Sequence, residues 1–212
     1  MSKHLFSWDS FYRVPIVGII RGLSSTQVKD VLPVFLASGL TTIEITMNTK
    51  AAEEMIRFAR KTYPQLNVGA GTVCTEKDLK HALAAGAQFI VTPIIDKKVI
   101  RSCVKKKTPV FPGAFTPTEI YQAWSLGASM VKVYPAKALG PSYIKDVKAP
   151  LDQIKLMPTG GIGLDDIDAY KKAGADGYGI GTPLFVKQLI DEKNWDALKE
   201  HFQKFVNKVM SK

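Results

Sequence analysis

The sequence predicts an α/β protein: a compact (β/α)8 TIM barrel forming one domain over residues 1–212, with a short N-terminal extension and a C-terminal helix. Three observations support this. A short unit recurs in SGLTTIEIT (38–46), AGAQFIVTP (85–93), LGASMVKVYP (126–135) and AGADGYGIGT (173–182). In each, a glycine suited to close a helix in the left-handed conformation is followed almost at once by an apolar strand. The gaps between these units hold more strands of the same kind, alternating with segments of helical period. The length of 212 residues fits such units in one ordinary domain.

The elements follow in order. Strands are expected at 15–20 (PIVGII), 42–46, 67–71 (NVGAG), 88–92, 109–112, 130–134, 154–158 (IKLMP) and 177–181. Val28, Val31, Leu32, Phe35 and Leu36 make the apolar side of one intervening helix. Leu79, Ala82 and Leu83 do so in another, with Thr75 as its N-cap. Trp195, Leu198, Phe202, Phe205, Val206 and Val209 form one face of the last helix. An open doubly wound sheet is the alternative. It calls for a glycine-rich turn after the first strand, and IIRGLSS is not one.

Composition narrows the class. The chain is 46% hydrophobic and 23% charged, which is globular. No apolar run nears the roughly 18 residues of a membrane span, so no membrane is expected. MSKHLFSWDSFYR has no secretory apolar core. Cys74 and Cys103 are too few for a disulfide framework, so a cytoplasmic protein is expected. The net charge of +10 admits anionic metabolites, nucleic acid or a membrane surface as partners. Much of it falls on helix faces, as in Lys97, Lys98, Arg101 and Lys105–Lys107, or Lys199, Lys204 and Lys208. These read as solvated surface, and a basic nucleic-acid-binding protein is a remote alternative that predicts steep salt dependence.

In a barrel, chemistry belongs on the loops that follow the strands. There the chain places Arg21, Glu44, Thr46, Asn48, Thr72, Thr92, Pro93, Pro112, Gly113, Lys132, Tyr134, Thr159, Gly160, Gly161, Gly181 and Thr182. Side chains alternate along a strand, so Ile43 and Ile45 share one face of TTIEITMN while Glu44 and Thr46 share the other. In MVKVYP, Lys132 and Tyr134 likewise oppose Val131 and Val133. Glu44 and Lys132 then both point inward, which is costly unless they pair or are used. One reading is a buried ion pair that fixes register. The other is a nucleophilic lysine with an acid/base carboxylate, because desolvation favours the neutral amine. PTGGI (158–162) and GIGT (179–182) follow the last two strands, where barrels often bind phosphate. His4, His81 and His201 have no metal-ligand spacing, so no metal is expected. Cys74 reads as a packed thiol rather than a nucleophile.

IIRG, IEITMNT, VGAGTV, VTP, FPGAFTPTE, VKVYPAKALGPSYIK, PTGGI and GIGTPLF together span essentially the whole chain. In order and spacing this set resembles the 2-keto-3-deoxy-6-phosphogluconate and 2-keto-3-deoxy-6-phosphogalactonate aldolases, which include 4-hydroxy-2-oxoglutarate aldolases. The resemblance implies a class I aldolase on a (β/α)8 barrel, a homotrimer with a small-molecule substrate, no metal and no cofactor beyond a Schiff base on Lys132. It implies that Glu44 is the acid/base, that Arg21 and Thr72 hold the pyruvate carboxylate, and that Pro93 and Tyr134 shape the pocket. Gly160, Gly161 and Gly181 would meet the phosphate. The gluconate form has an arginine where Asn48 stands and a Gly-Ser turn where Thr182-Pro183 stands. Pro183 has no N–H to give, which leaves the Thr182 hydroxyl. Asn48, IIRG and GPSYIK look more like the galactonate form, and Thr159 in PTGGI more like the gluconate form. An unphosphorylated 4-hydroxy-2-keto acid is the alternative substrate.

Overall fold

The computed structural model describes residues 5–211, so His4 lies outside the described residues. The chain runs α1 (Trp8–Arg13), β1 (Ile16–Ile20), α2 (Ser25–Ala37), β2 (Thr42–Thr46), α3 (Ala52–Thr62), β3 (Asn67–Gly71), α4 (Glu76–Ala85), β4 (Ile90–Val91) and α5 (Lys97–Lys105). It continues through β5 (Val110–Phe111), β6 (Gly113–Ala114), α6 (Pro117–Ser125), β7 (Val131–Val133), α7 (Gly140–Lys148), β8 (Leu156–Pro158), α8 (Ile167–Lys172), β9 (Tyr178–Ile180), α9 (Lys187–Asp191) and α10 (Trp195–Met210).

The strands lie in the order β5-β4-β3-β2-β1-β9 and β6-β7-β8, and every pairing is parallel. A bridge between Thr159 and Gly179 ties the end of β8 to β9. The result is an α/β fold with a curled parallel sheet. Each expected strand contains an observed one, but the strand expected at 109–112 is cut short at Pro112 and resumes as β6. Proline has no N–H for the ladder. Its carbonyl still accepts from the Lys132 N–H at 2.8 Å.

Local chemistry explains the element ends. Gly39, Gly86, Gly127 and Gly174, the glycines of the four repeats, have φ of 97°, 97°, 96° and 90°. That is the left-handed region in which glycine has no Cβ penalty. Ser24, Thr75 and Thr116 cap α2, α4 and α6, each with a reciprocal bond from the third helical residue.

The packing has two parts. The larger cluster lies between strands and helices and joins Ile43, Ile45 and Val131 to Val28, Leu32 and Phe35. The smaller one comprises Phe6, Phe11, Val17, Phe89, Val91, Phe111, Met130 and Met157. Met130 belongs to it, whereas Lys132 and Tyr134 line a cavity. One face of one strand therefore changes from apolar to polar along its length. The N-terminal extension is part of this core, because Phe6 and Phe11 pack into it. The basic helix faces are solvated: Lys97, Lys98, Arg101 and Lys105–Lys107 are all exposed. Among the described residues no helix is long and apolar enough to cross a membrane.

Candidate active site

A cavity of about 630 Å³ opens at the C-terminal ends of the strands. It brings together the strand-end residues named above except Thr92, Pro112 and Gly113, which are buried outside its lining, and Asn48, which is exposed and not part of it. The strand alternation that places Glu44 ends at Thr46, and Asn48 falls in the turn beyond it. Instead, Thr49 is buried there. Its hydroxyl lies 2.8 Å from that of Thr46 and accepts from the Gly22 N–H at 3.1 Å. This pair ties the loop that carries Arg21 to the end of β2. Thr49 was missed because no strand or helix period reaches it.

Lys132 is 7% exposed and Glu44 1%. Burial holds Lys132 below the ordinary lysine pKa, Arg21 lowers it further, and Glu44 and Cys74 oppose the shift. Burial pushes Glu44 above the ordinary carboxylate range, with Lys132 opposing. The two residues form no direct ion pair, so the register-fixing salt bridge is not observed. Glu44 Oε2 is buried and has no hydrogen-bond partner among the described residues. Lys132 Nζ lies 4.9 Å from the centre of the Tyr134 ring, within the range of a cation–π contact. A buried amine and a buried acid that are left unpaired remain available to a ligand.

Glycine makes the room. A Cβ on Gly71 would lie 2.5 Å from Glu44 Oε1, so only glycine leaves that carboxylate its place. Thr72, the next residue, has a φ of 55°, a strained value for a β-branched side chain and one that recurs at functional sites. Gly160 and Gly161 also have positive φ, at 95° and 75°, and turn backbone toward the cavity beside Tyr134. Pro183, Phe185, Gln27 and Lys187 complete the rim and were not among the candidates. Cys74 is partly buried with its pKa raised, chiefly by burial, as a packed thiol would be. Among the described residues no group of three or more His, Cys, Asp or Glu is placed to hold a metal.

A desolvated lysine and carboxylate share one cavity at the strand ends of a parallel α/β fold, an arrangement suited to amine chemistry on a carbonyl. The sequence profile of the KDPG and KHG aldolases matches residues 9–201, and the chain belongs to that family. It is 36% identical to the 2-dehydro-3-deoxy-phosphogluconate aldolase of Haemophilus influenzae, over 85% of this chain and 87% of that protein. It is 32% identical to the 2-dehydro-3-deoxy-6-phosphogalactonate aldolase of Escherichia coli K12, over 82% of this chain and 85% of that one. Its fold matches the native KDPGal structure with a TM-score of 0.85 and 30% identity, covering 92% of this chain and 93% of the other.

Proposed function

We propose that the chain is a class I aldolase that reversibly cleaves a 2-keto-3-deoxy-6-phospho-aldonate into pyruvate and glyceraldehyde 3-phosphate. The observation that supports this most is the buried, unpaired Lys132 in a cavity shared with Glu44. The amine of Lys132 attacks the C2 ketone, water leaves and an iminium forms. Glu44 takes the proton of the C4 hydroxyl as the C3–C4 bond breaks, and the electron pair moves into the iminium to give an enamine. The proton returns to C3, and water releases pyruvate from Lys132. Burial raises the pKa of Glu44, which suits a group that must hold a proton as well as accept one. Arg21 and Thr72 hold the carboxylate, Pro93 and Tyr134 bound the pocket, and Gly160, Gly161, Gly181 and Thr182 meet the phosphate. The reaction needs no metal or cofactor in this scheme.

Several further features belong to the proposal. The sheet closes into an eight-stranded (β/α)8 barrel within one domain: β5 and β6 are two halves of one strand, and the Thr159–Gly179 bridge supplies the link between β8 and β9. The chain forms a homotrimer through a patch that includes the exposed Ile94, Phe115, Tyr121 and Trp124. Light scattering in solution should give three chains per particle; one chain would refute it. Unpaired Cys74 and Cys103 fit the cytoplasm. A second reading, an unphosphorylated 4-hydroxy-2-keto acid such as 4-hydroxy-2-oxoglutarate, is favoured by Pro183 at the rim and by the exposed position of Asn48. Turnover of both phosphorylated epimers and 4-hydroxy-2-oxoglutarate, ranked by kcat/KM, tests the assignment. A higher value for a phosphorylated epimer is expected.

Gly71→Ala should displace the Glu44 carboxylate and lower turnover about 100-fold, the usual size of a loss from a misplacement near 1 Å. Folding should survive, because a carboxylate tip can move aside; thermal melting beside the kinetic assay separates the two effects. The neutral amine attacks, so the rate of pyruvate adduct formation should rise with pH and level off below the ordinary lysine value of about 10.4. Glu44→Gln removes an anion that retains the proton on Lys132, so the midpoint should move down. Arg21→Gln removes a cation that repels it, so the midpoint should move up. Rates of borohydride trapping across pH would show both shifts.

A further inference from the structure

We infer that Lys187, held by Asp191 at the cavity rim, is the cation that receives the substrate phosphate and sets the preference for phosphorylated over unphosphorylated substrate. This rests on the phosphorylated-substrate reading above. The lysines and arginines of the cavity wall are Arg21, Lys132 and Lys187. Lys132 is committed to the ketone. Arg21 stands near enough to Lys132 to repel its proton, which places it at the keto-acid end. The carboxylate needs one cation there, and the phosphate at the other end needs another.

Lys187 is placed for that second role. It begins α9, directly after the Gly181–Phe185 segment that forms this rim. Backbone donors are reduced here, because Pro183 has no N–H. Asn48 is exposed and does not line the cavity. A lysine is a flexible point charge that can follow a phosphate without a bidentate geometry.

The surroundings of Lys187 suit a group held in reserve. Its ammonium pairs with Asp191 Oδ2, while the Gln27 amide donates to Asp191 Oδ1 at 2.9 Å. Gln27 also lines the cavity. Asp191 thus gathers two phosphate donors, one from α2 and one from α9, at one edge of the rim. The Lys187 side chain is 76% exposed, and an ion pair that open is weak enough for a dianionic phosphate to displace. The contact forms equally in ground and transition states, so its loss should appear in KM rather than kcat.

Steady-state kinetics of Lys187→Gln with a 6-phosphorylated substrate and its unphosphorylated counterpart tests this. KM for the phosphorylated substrate should rise about 10-fold with kcat little changed, as expected for uniform binding. Values for the unphosphorylated substrate should stay within about twofold, and Lys187→Arg should recover most of the loss. Raising the salt concentration should shrink the difference between wild type and Lys187→Gln, because an exposed charge is screened. Asp191→Asn should lower KM for the phosphorylated substrate by freeing Lys187. Inorganic phosphate should inhibit the wild type competitively and Lys187→Gln more weakly. If the wild type prefers the phosphorylated substrate and Lys187→Gln retains that preference, the inference fails while the aldolase reading stands. The same holds if Lys137→Gln loses the preference instead, since the Lys137 stem lies against Gly161. If the wild type itself shows no preference, the phosphorylated-substrate reading fails, and this role of Lys187 with it.

Discussion

Lys132→Ala should lower kcat/KM by about four orders of magnitude or more, the scale of loss when a covalent nucleophile is removed. The other lysine on the cavity wall, Lys187, is exposed and paired with Asp191, so it has neither the desolvation nor the position to replace it. In the proposed mechanism, burial is what would make Lys132 effective. A free lysine near neutral pH is almost wholly ammonium, with about one in two thousand in the neutral form. Desolvation raises the reactive fraction, at a cost to the charged form. The variant should fold, since the strand keeps Val131 and Val133 in the core. Removing Lys132 also removes the cation that opposes the raised pKa of Glu44, so that carboxyl should become still harder to ionise. Thermal melting and kinetics on the same preparation separate lost chemistry from lost structure.

Glu44→Gln should have the second largest effect. Proton transfer by a placed acid or base contributes about two to four orders of magnitude, and turnover should fall by that amount. The variant differs from Lys132→Ala in what it keeps. Its amine is still present and gives up its proton more readily, so pyruvate should still be trapped by borohydride. The amide is isosteric and uncharged, so it suits a site where burial already disfavours the carboxylate. Near-full turnover in Glu44→Gln would show that another group moves the proton.

The four repeat glycines were readable because each satisfies a rule of backbone geometry that depends on nothing distant. Their φ values between 90° and 97° reflect that. Glu44 and Lys132 were readable because strand alternation fixes which side chains share a face. The break at Pro112 follows from the missing N–H, although the observed strand resumes at Gly113 rather than ending. Other features depend on contacts far along the chain. Asn48 follows the end of β2, where alternation no longer says where a side chain points, and Thr49 is buried in its stead through a bond to Gly22. The part played by Phe6 and Phe11 in the core depends on Phe89, Phe111 and Met157 arriving from other strands. Gln27 and Lys187 meet through Asp191 across most of the chain, which no local pattern signals. Gly71 is read as a plain strand glycine until the neighbouring strand places Glu44 against it.

In the proposed mechanism Lys132 forms the covalent bond with the keto acid. Incubation of the wild-type protein with pyruvate, reduction with borohydride and mass mapping of the tryptic peptides tests it most directly. One reduced pyruvyl adduct is expected, on Lys132. An unmodified Lys132, whether no lysine reacts or a different one does, would contradict it.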